Sequence, residues 1–200
     1  MSALRAAFER EVWRRLLSAD QALLLTVRRL ESALMTRLMR AFTHLGDWAS
    51  WVVIGLLLGA AGGAGPRYCA LLGIGASVAT VTSQVLKRLC CRPRPSSGIR
   101  GFAALADLPD AFSFPSGHTA AAFGVAVALA AEGSGLAALT LVLACGIALS
   151  RVYLGAHYPL DVAAGILVGA LAGVISRLLV DGAPVVRLLG YTVVSLVPHY

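Results

Sequence analysis

The sequence predicts an all-α fold, a polytopic membrane helix bundle with five or six transmembrane helices and an N-terminal amphipathic helix. Three observations predict it. Apolar residues make up 58% of the 200-residue chain and charged residues only 14%, against about 25% charged in soluble domains. The charges are also segregated: stretches of 19, 19, 21 and 18 uncharged residues follow Asp47, Arg67, Asp110 and Glu132, and a spanning helix needs roughly 20 apolar residues. Finally, Trp48 and Trp51 stand at the edge of the first stretch, where interfacial aromatic anchors belong.

Taken in order, residues 1–45 read as a helical region that does not span. Leu23, Leu24, Val27, Leu30, Leu34 and Leu38 recur at three- and four-residue steps, with Arg28, Arg29, Glu31, Arg37 and Arg40 falling largely between them. Such a stripe fits a helix lying on the membrane surface or one packed on the edge of a bundle. A span here would place the Arg28-Arg29 pair near its middle. Arg10, Arg14 and Arg15 precede no apolar segment ending in small residues, so no cleavable signal is expected.

Residues 46–200 read as the membrane-embedded domain. The first span covers 48–65, and Pro66-Arg67 turns the chain into a second over 68–85. Gly73, Gly75, Ala76, Ser77 and Ala79 in that second span would allow close helix packing. Residues 87–114 form the long polar loop. A third span covers 117–131, a fourth 136–150 and a fifth 159–179, while 183–198 are apolar but interrupted by Arg187 and Pro198 and read as a sixth helix or a surface segment. Cys69, Cys90, Cys91 and Cys145 form no CxxC pair and are expected to be reduced thiols.

The net charge of +7 is concentrated. Eight arginines lie within residues 1–40, and Lys87, Arg88, Arg92, Arg94 and Arg100 crowd one loop. No basic stripe is interleaved with stacking aromatics, so nucleic acid is not expected as a partner. Anionic headgroups of the bilayer and a phosphate ligand account for the charge.

Three clusters carry chemistry. Lys87 and Arg94 flank a segment where Pro93 and Pro95 should end the preceding helix near Cys90, so both cations can turn on one anion from different directions. Alone, the pair reads rather as a basic cluster touching lipid headgroups. In Pro115-Ser116-Gly117-His118, Ser116 is placed to cap a helix and Gly117 allows close backbone approach, a cradle for phosphate at a helix N-terminus. An ordinary cap with an interfacial histidine fits too. Ser150-Arg151 closes the fourth span, and His157 and Asp161 open the fifth at i,i+4 spacing, where Asp161 could accept the Nδ1 proton and leave Nε2 free. A structural His–Asp pair tying two helices also fits that spacing. Counting crossings puts all three clusters on one membrane face, and that convergence favours a single phosphoryl-transfer site.

The ordered pattern Lys87-x6-Arg94-Pro95, Pro115-Ser116-Gly117-His118, Ser150-Arg151-x5-His157-x3-Asp161 resembles the fingerprint of the type 2 phosphatidic acid phosphatase (lipid phosphate phosphatase) superfamily, bacterial membrane type. The resemblance covers residues 87–161 and the flanking helices and leaves out 1–45. It implies an integral membrane phosphatase acting on a lipid phosphate or diphosphate, of the undecaprenyl diphosphate, phosphatidic acid or phosphatidylglycerophosphate type. His157 would be the nucleophile forming a phosphohistidine, Asp161 its orienting partner and His118 the general acid. Lys87, Arg94, Ser116, Gly117 and Arg151 would bind phosphate, with no metal or cofactor required.

Vanadium haloperoxidases share this fingerprint but are large and soluble. The same residues would also suit a phosphotransferase using an isoprenoid diphosphate donor, or a non-catalytic lipid-binding membrane protein. Bacterial members of the family imply an inner-membrane protein with a periplasmic active site. Five spans would instead put the arginine-rich N-terminus on the catalytic side, which the positive-inside rule assigns to the cytoplasm, and counting the N-terminal helix as a sixth span would reconcile the two.

Overall fold

The computed structural model describes residues 2–108 and 110–182 and is all-helical in its regular structure. In chain order the helices are α1 (Ser2–Arg28), α2 (Ala33–Leu45), α3 (Trp48–Ala60), α4 (Gly65–Cys90), α5 (Pro95–Gly98), α6 (Gly117–Leu129), α7 (Ser134–Tyr153) and α8 (Pro159–Gly182). The segment read as a sixth helix or surface stretch, 183–198, lies outside the described residues.

Local chemistry sets the boundaries. Ser32 breaks the N-terminal region in two by capping α2, its Oγ accepting from Met35 N at 3.3 Å. Pro66 sits in the first turn of α4, where its missing N–H costs nothing. At the other end, Cys91 takes a left-handed φ of 48° and Pro93 follows, so α4 stops where the prolines require. Pro159 likewise opens α8.

Short α6 is the centre of the bundle, packed by α4, α7 and α8. Glycines bring its neighbours into backbone contact. A Cβ on Gly173 would lie 2.7 Å from the Gly124 carbonyl oxygen, one on Gly124 would lie 2.8 Å from that of Gly75, and one on Gly169 would strike that of Ala120. This is small-residue packing, and its main stripe, Gly165, Gly169 and Gly173, runs down α8. The outer faces carry exposed leucines such as Leu56, Leu139, Leu167 and Leu178. Apolar side chains on the outside and glycine within suit a lipid solvent.

Among the described residues, α4, α7 and α8 are each long and apolar enough to cross a bilayer, and α2 with α3, bent by 60°, makes up to a fourth span. The sequence count of five or six is therefore not reached by length. Uncharged residues on either side of α6 are used in the 111–116 approach and at 130–131, leaving 13 residues in the helix, about 20 Å at 1.5 Å per residue. α1 packs against α7 and α8, burying Leu24 among Ala148, Val152, Tyr158 and Val162.

Far from the fingerprint residues, Arg67 at the start of α4 pairs with Glu132 at 3.0 Å and Asp181 at 2.7 Å, and Arg177 pairs with Glu132 at 3.0 Å. These ties fix one end of the bundle. The opposite end gathers the end of α4, the start of α6, the end of α7 and the start of α8, as the crossing count expected.

Candidate active site

At that end a cavity of about 430 Å³ is lined by Lys87, Arg94, Gly117, His118, Arg151 and His157, with Asp47 and Asp110 at its wall. One pocket thus holds both histidines and the three cations picked out by the sequence. Two other predicted residues lie behind it. Ser116 is fully buried and stands at the N-cap of α6, but its hydroxyl accepts from Thr119 Oγ1 at 2.9 Å and makes no cap bond. Asp161 is also fully buried.

His157 Nδ1 lies 2.7 Å from the Ser113 carbonyl oxygen. A carbonyl only accepts, so Nδ1 carries the proton and the neutral ring presents a bare Nε2. That nitrogen is 3.5 Å from Arg94 Nη1. Burial, and then the charges of Arg151, Arg94 and Lys87, push the His157 imidazole well below its usual range, with the Ser113 bond opposing. The ring is therefore neutral at physiological pH. Asp161 Oδ2 is 3.8 Å from Nδ1, beyond hydrogen-bond distance. The orienting acceptor is the Ser113 carbonyl, and Asp161 accepts instead from Tyr158 N at 2.8 Å and Arg92 Nη1 at 2.6 Å.

The cations are held by an internal carboxylate. Asp110 accepts from Lys87 Nζ through Oδ2 and from Arg94 Nη2 through Oδ1, each at 2.6 Å. Arg94 also donates Nε to the Asp110 carbonyl and Nη1 to the Ala156 carbonyl, each at 2.8 Å. Burial raises the Asp110 carboxyl, but the bonds from Lys87 and Arg94 outweigh it and hold the group below its ordinary range. Arg151 donates Nη1 to Thr43 Oγ1, and its buried Nε has no partner among the described residues. An unfilled buried guanidinium donor at a cavity wall suits an anion. Arg88, in the last turn of α4, and Arg100, just after α5, are exposed.

His118 Nε2 is 2.9 Å from Asp47 Oδ1, and the other Asp47 oxygen lies 3.0 Å from His44 Nδ1. Gly46 permits this approach, since a Cβ there would meet Ile147 Cγ2 at 2.9 Å and His118 Cδ2 at 3.1 Å. An apolar groove between α3 and α4 shares Trp48, Trp51 and Thr80 with the cavity wall and continues along Val52, Leu56, Leu72 and Val81. A basic, histidine-bearing pocket therefore opens onto a surface that suits an acyl or prenyl chain.

Asp47, Asp110, Ser113, Arg92 and Asp20 were not singled out by the sequence. Asp110 carried a signal, because it shares the long polar loop with Lys87 and Arg94 and a carboxylate so close to them needs a partner. Ser113 carried none, because its backbone carbonyl does the work.

The family model described as the PAP2 superfamily matches residues 66–183. The decaprenylphosphoryl-5-phosphoribose phosphatase of Mycobacterium tuberculosis is 37% identical over 137 residues, 68% of this chain and 75% of that protein. Among solved structures, Aquifex aeolicus LpxE superposes with a TM-score of 0.70 at 29% identity, covering 78% of this chain and 92% of that one. A PAP2-type phosphatidylglycerolphosphate phosphatase from Bacillus subtilis gives 0.70 at 25% identity, covering 84% and 87%. The pocket, the helical membrane architecture and these likenesses agree, and the chain belongs to the PAP2 superfamily as an integral membrane protein among lipid phosphatases.

Proposed function

We propose that this protein hydrolyses a phosphate or diphosphate at the polar end of a membrane lipid by two in-line displacements at His157. The observation that carries the reading is the bare Nε2 of His157, facing a cavity walled by Lys87, Arg94 and Arg151. In the first displacement Nε2 bonds to phosphorus while the bond to the leaving oxygen breaks. His118 gives that oxygen its proton. In the second, water attacks the phosphohistidine, His118 takes the water proton, the P–N bond breaks, and inorganic phosphate and free His157 result.

Arg94, Lys87, Arg151 and the N-terminus of α6 at Gly117 stabilise the equatorial oxygens in both transition states. Ser116 contributes by holding that helix start, since its amide donates to the Asp161 carbonyl at 2.9 Å. The lipid chain lies in the α3–α4 groove. The site works at the periplasmic face of a bacterial inner membrane, where polyprenyl-linked phosphates, undecaprenyl diphosphate, phosphatidic acid and phosphatidylglycerophosphate are the substrates to test.

A phosphate-release screen of these lipids in detergent micelles, with and without vanadate, tests the reading. Release from at least one lipid, inhibited by vanadate as a five-coordinate phosphorus mimic, is expected. Inertness toward all of them, or turnover indifferent to vanadate, contradicts it. Loss of lipid phosphate without free phosphate, upon adding a lipid alcohol, would reveal a transferase.

A further inference from the structure

Behind His157 lies a buried ionic chain that the proposed reaction does not use. Arg92 donates Nη1 to Asp161 Oδ1 and Nη2 to Asp20 Oδ2, each at 2.6 Å. The Asp20 side chain is 1% exposed and that of Asp161 0%. The remaining oxygen of each carboxylate serves the start of α8. Asp161 Oδ2 accepts from Tyr158 N and Asp20 Oδ1 from Leu160 N, both at 2.8 Å. Pro159 between them has no N–H, so the two carboxylates take up the amides on either side. The Arg92 guanidinium also stacks over the Tyr158 ring at 4.1 Å.

Asp20 belongs to α1, and the family match begins only at residue 66. A buried carboxylate is costly unless every lone pair is engaged. Here it is engaged on the turn that carries His157 and on the partner of Asp161, so α1 reaches the reacting imidazole through two contacts.

We infer that Asp20 is a positioning residue for the proposed reaction, acting on His157 through Arg92 and Asp161, and that α1 is therefore part of the catalytic unit. The inference rests on His157 being the nucleophile. When Nε2 bonds to phosphorus the ring becomes cationic, and Asp161 is the carboxylate 3.8 Å from its Nδ1. Arg92 draws on that same carboxylate. Asp20 offsets Arg92 and leaves Asp161 able to meet the new charge. Neutralising Asp20 weakens the field at the ring only as the ring charges, so the loss falls on the transition state and spares ground-state anion binding.

Full-length wild-type, Asp20→Asn, Asp20→Glu, Arg92→Lys and His157→Ala proteins are titrated in detergent with inorganic phosphate and with vanadate, followed by the fluorescence of Trp48 and Trp51 at the cavity wall. Vanadate reports on bonding to His157 and phosphate on the cations alone. Asp20→Asn should bind vanadate about tenfold more weakly and phosphate within about twofold of wild type, with Asp20→Glu recovering most of the loss. Wild-type vanadate affinity in Asp20→Asn, or an equal loss of both anions, overturns the inference. If Asp20→Asn does not fold, Arg92→Lys keeps the charge but loses the planar fork. It should again lose vanadate selectively, and parallel changes in both anions overturn the inference. Unchanged vanadate binding in His157→Ala would instead overturn the nucleophile reading, a separate result.

Discussion

Arg94 grips Asp110 twice, through Nε on its carbonyl at 2.8 Å and Nη2 on its carboxylate at 2.6 Å. Lys87 holds the other carboxylate oxygen. An internal anion thus rests on two of the cations proposed to bind phosphate, and their bonds hold its carboxyl below the ordinary range, so it stays charged at neutral pH. Any phosphate entering must share or displace it. Asp110→Asn should lower the inhibition constant of inorganic phosphate by about tenfold, the worth of one charge-assisted contact. Competitive inhibition assays measure this, and an unchanged or raised constant would show that Asp110 serves mainly to hold the cations.

Asp47 faces the proposed acid, its Oδ1 2.9 Å from His118 Nε2. A carboxylate at that distance favours the imidazolium, the form that gives the leaving oxygen its proton. Asp47→Asn should slow an alkyl phosphate by about tenfold or more and an aryl phosphate with a stable leaving anion far less. Equal slowing of both would remove Asp47 from proton delivery.

The ionisation of His157 sets a pH dependence. Its imidazole is depressed by burial and by Arg151, Arg94 and Lys87. The neutral ring attacks, so the acid limb of kcat/KM belongs below the ordinary histidine value of about 6.5. Removing a cation makes the imidazolium less unfavourable, raises the folded-state pKa and moves that limb to higher pH. Arg94→Gln should therefore show a lower rate and an acid limb shifted upward on the same substrate. A limb that stays in place would mean another group controls it.

Packing at Gly169 positions α8 against α6, because any Cβ there meets the Ala120 backbone. Gly169→Val should cost about 1–3 kcal/mol or more by overpacking and lower activity by displacing His157 from the α6 N-terminus. Thermal unfolding in detergent together with turnover checks this, and wild-type values in both would contradict the packing account.

Much of this was legible in the sequence because membrane segments announce themselves. The ends of α4 and the start of α8 follow from prolines, and the convergence of Lys87, Arg94, His118, Arg151 and His157 follows from counting crossings. What was hidden has physical causes. The Ser113 carbonyl is a backbone group that every residue has, so nothing in its side chain marks it as the acceptor for His157. Asp20 lies 141 positions before Asp161, and no spacing rule links them. The Asp161 side chain sat at the right i,i+4 interval, yet Arg92 and the Tyr158 amide competed for it. The lengths of α3 and α6 were overestimated because uncharged loop residues count like helix residues in a hydropathy pattern.

Removing the His157 imidazole removes the nitrogen proposed to bond to phosphorus. Phosphate release by purified, normally extracted His157→Ala, compared with wild type on the same lipid, tests that bond most directly. A loss of about a thousandfold or more is expected. Turnover within about tenfold of wild type would contradict it.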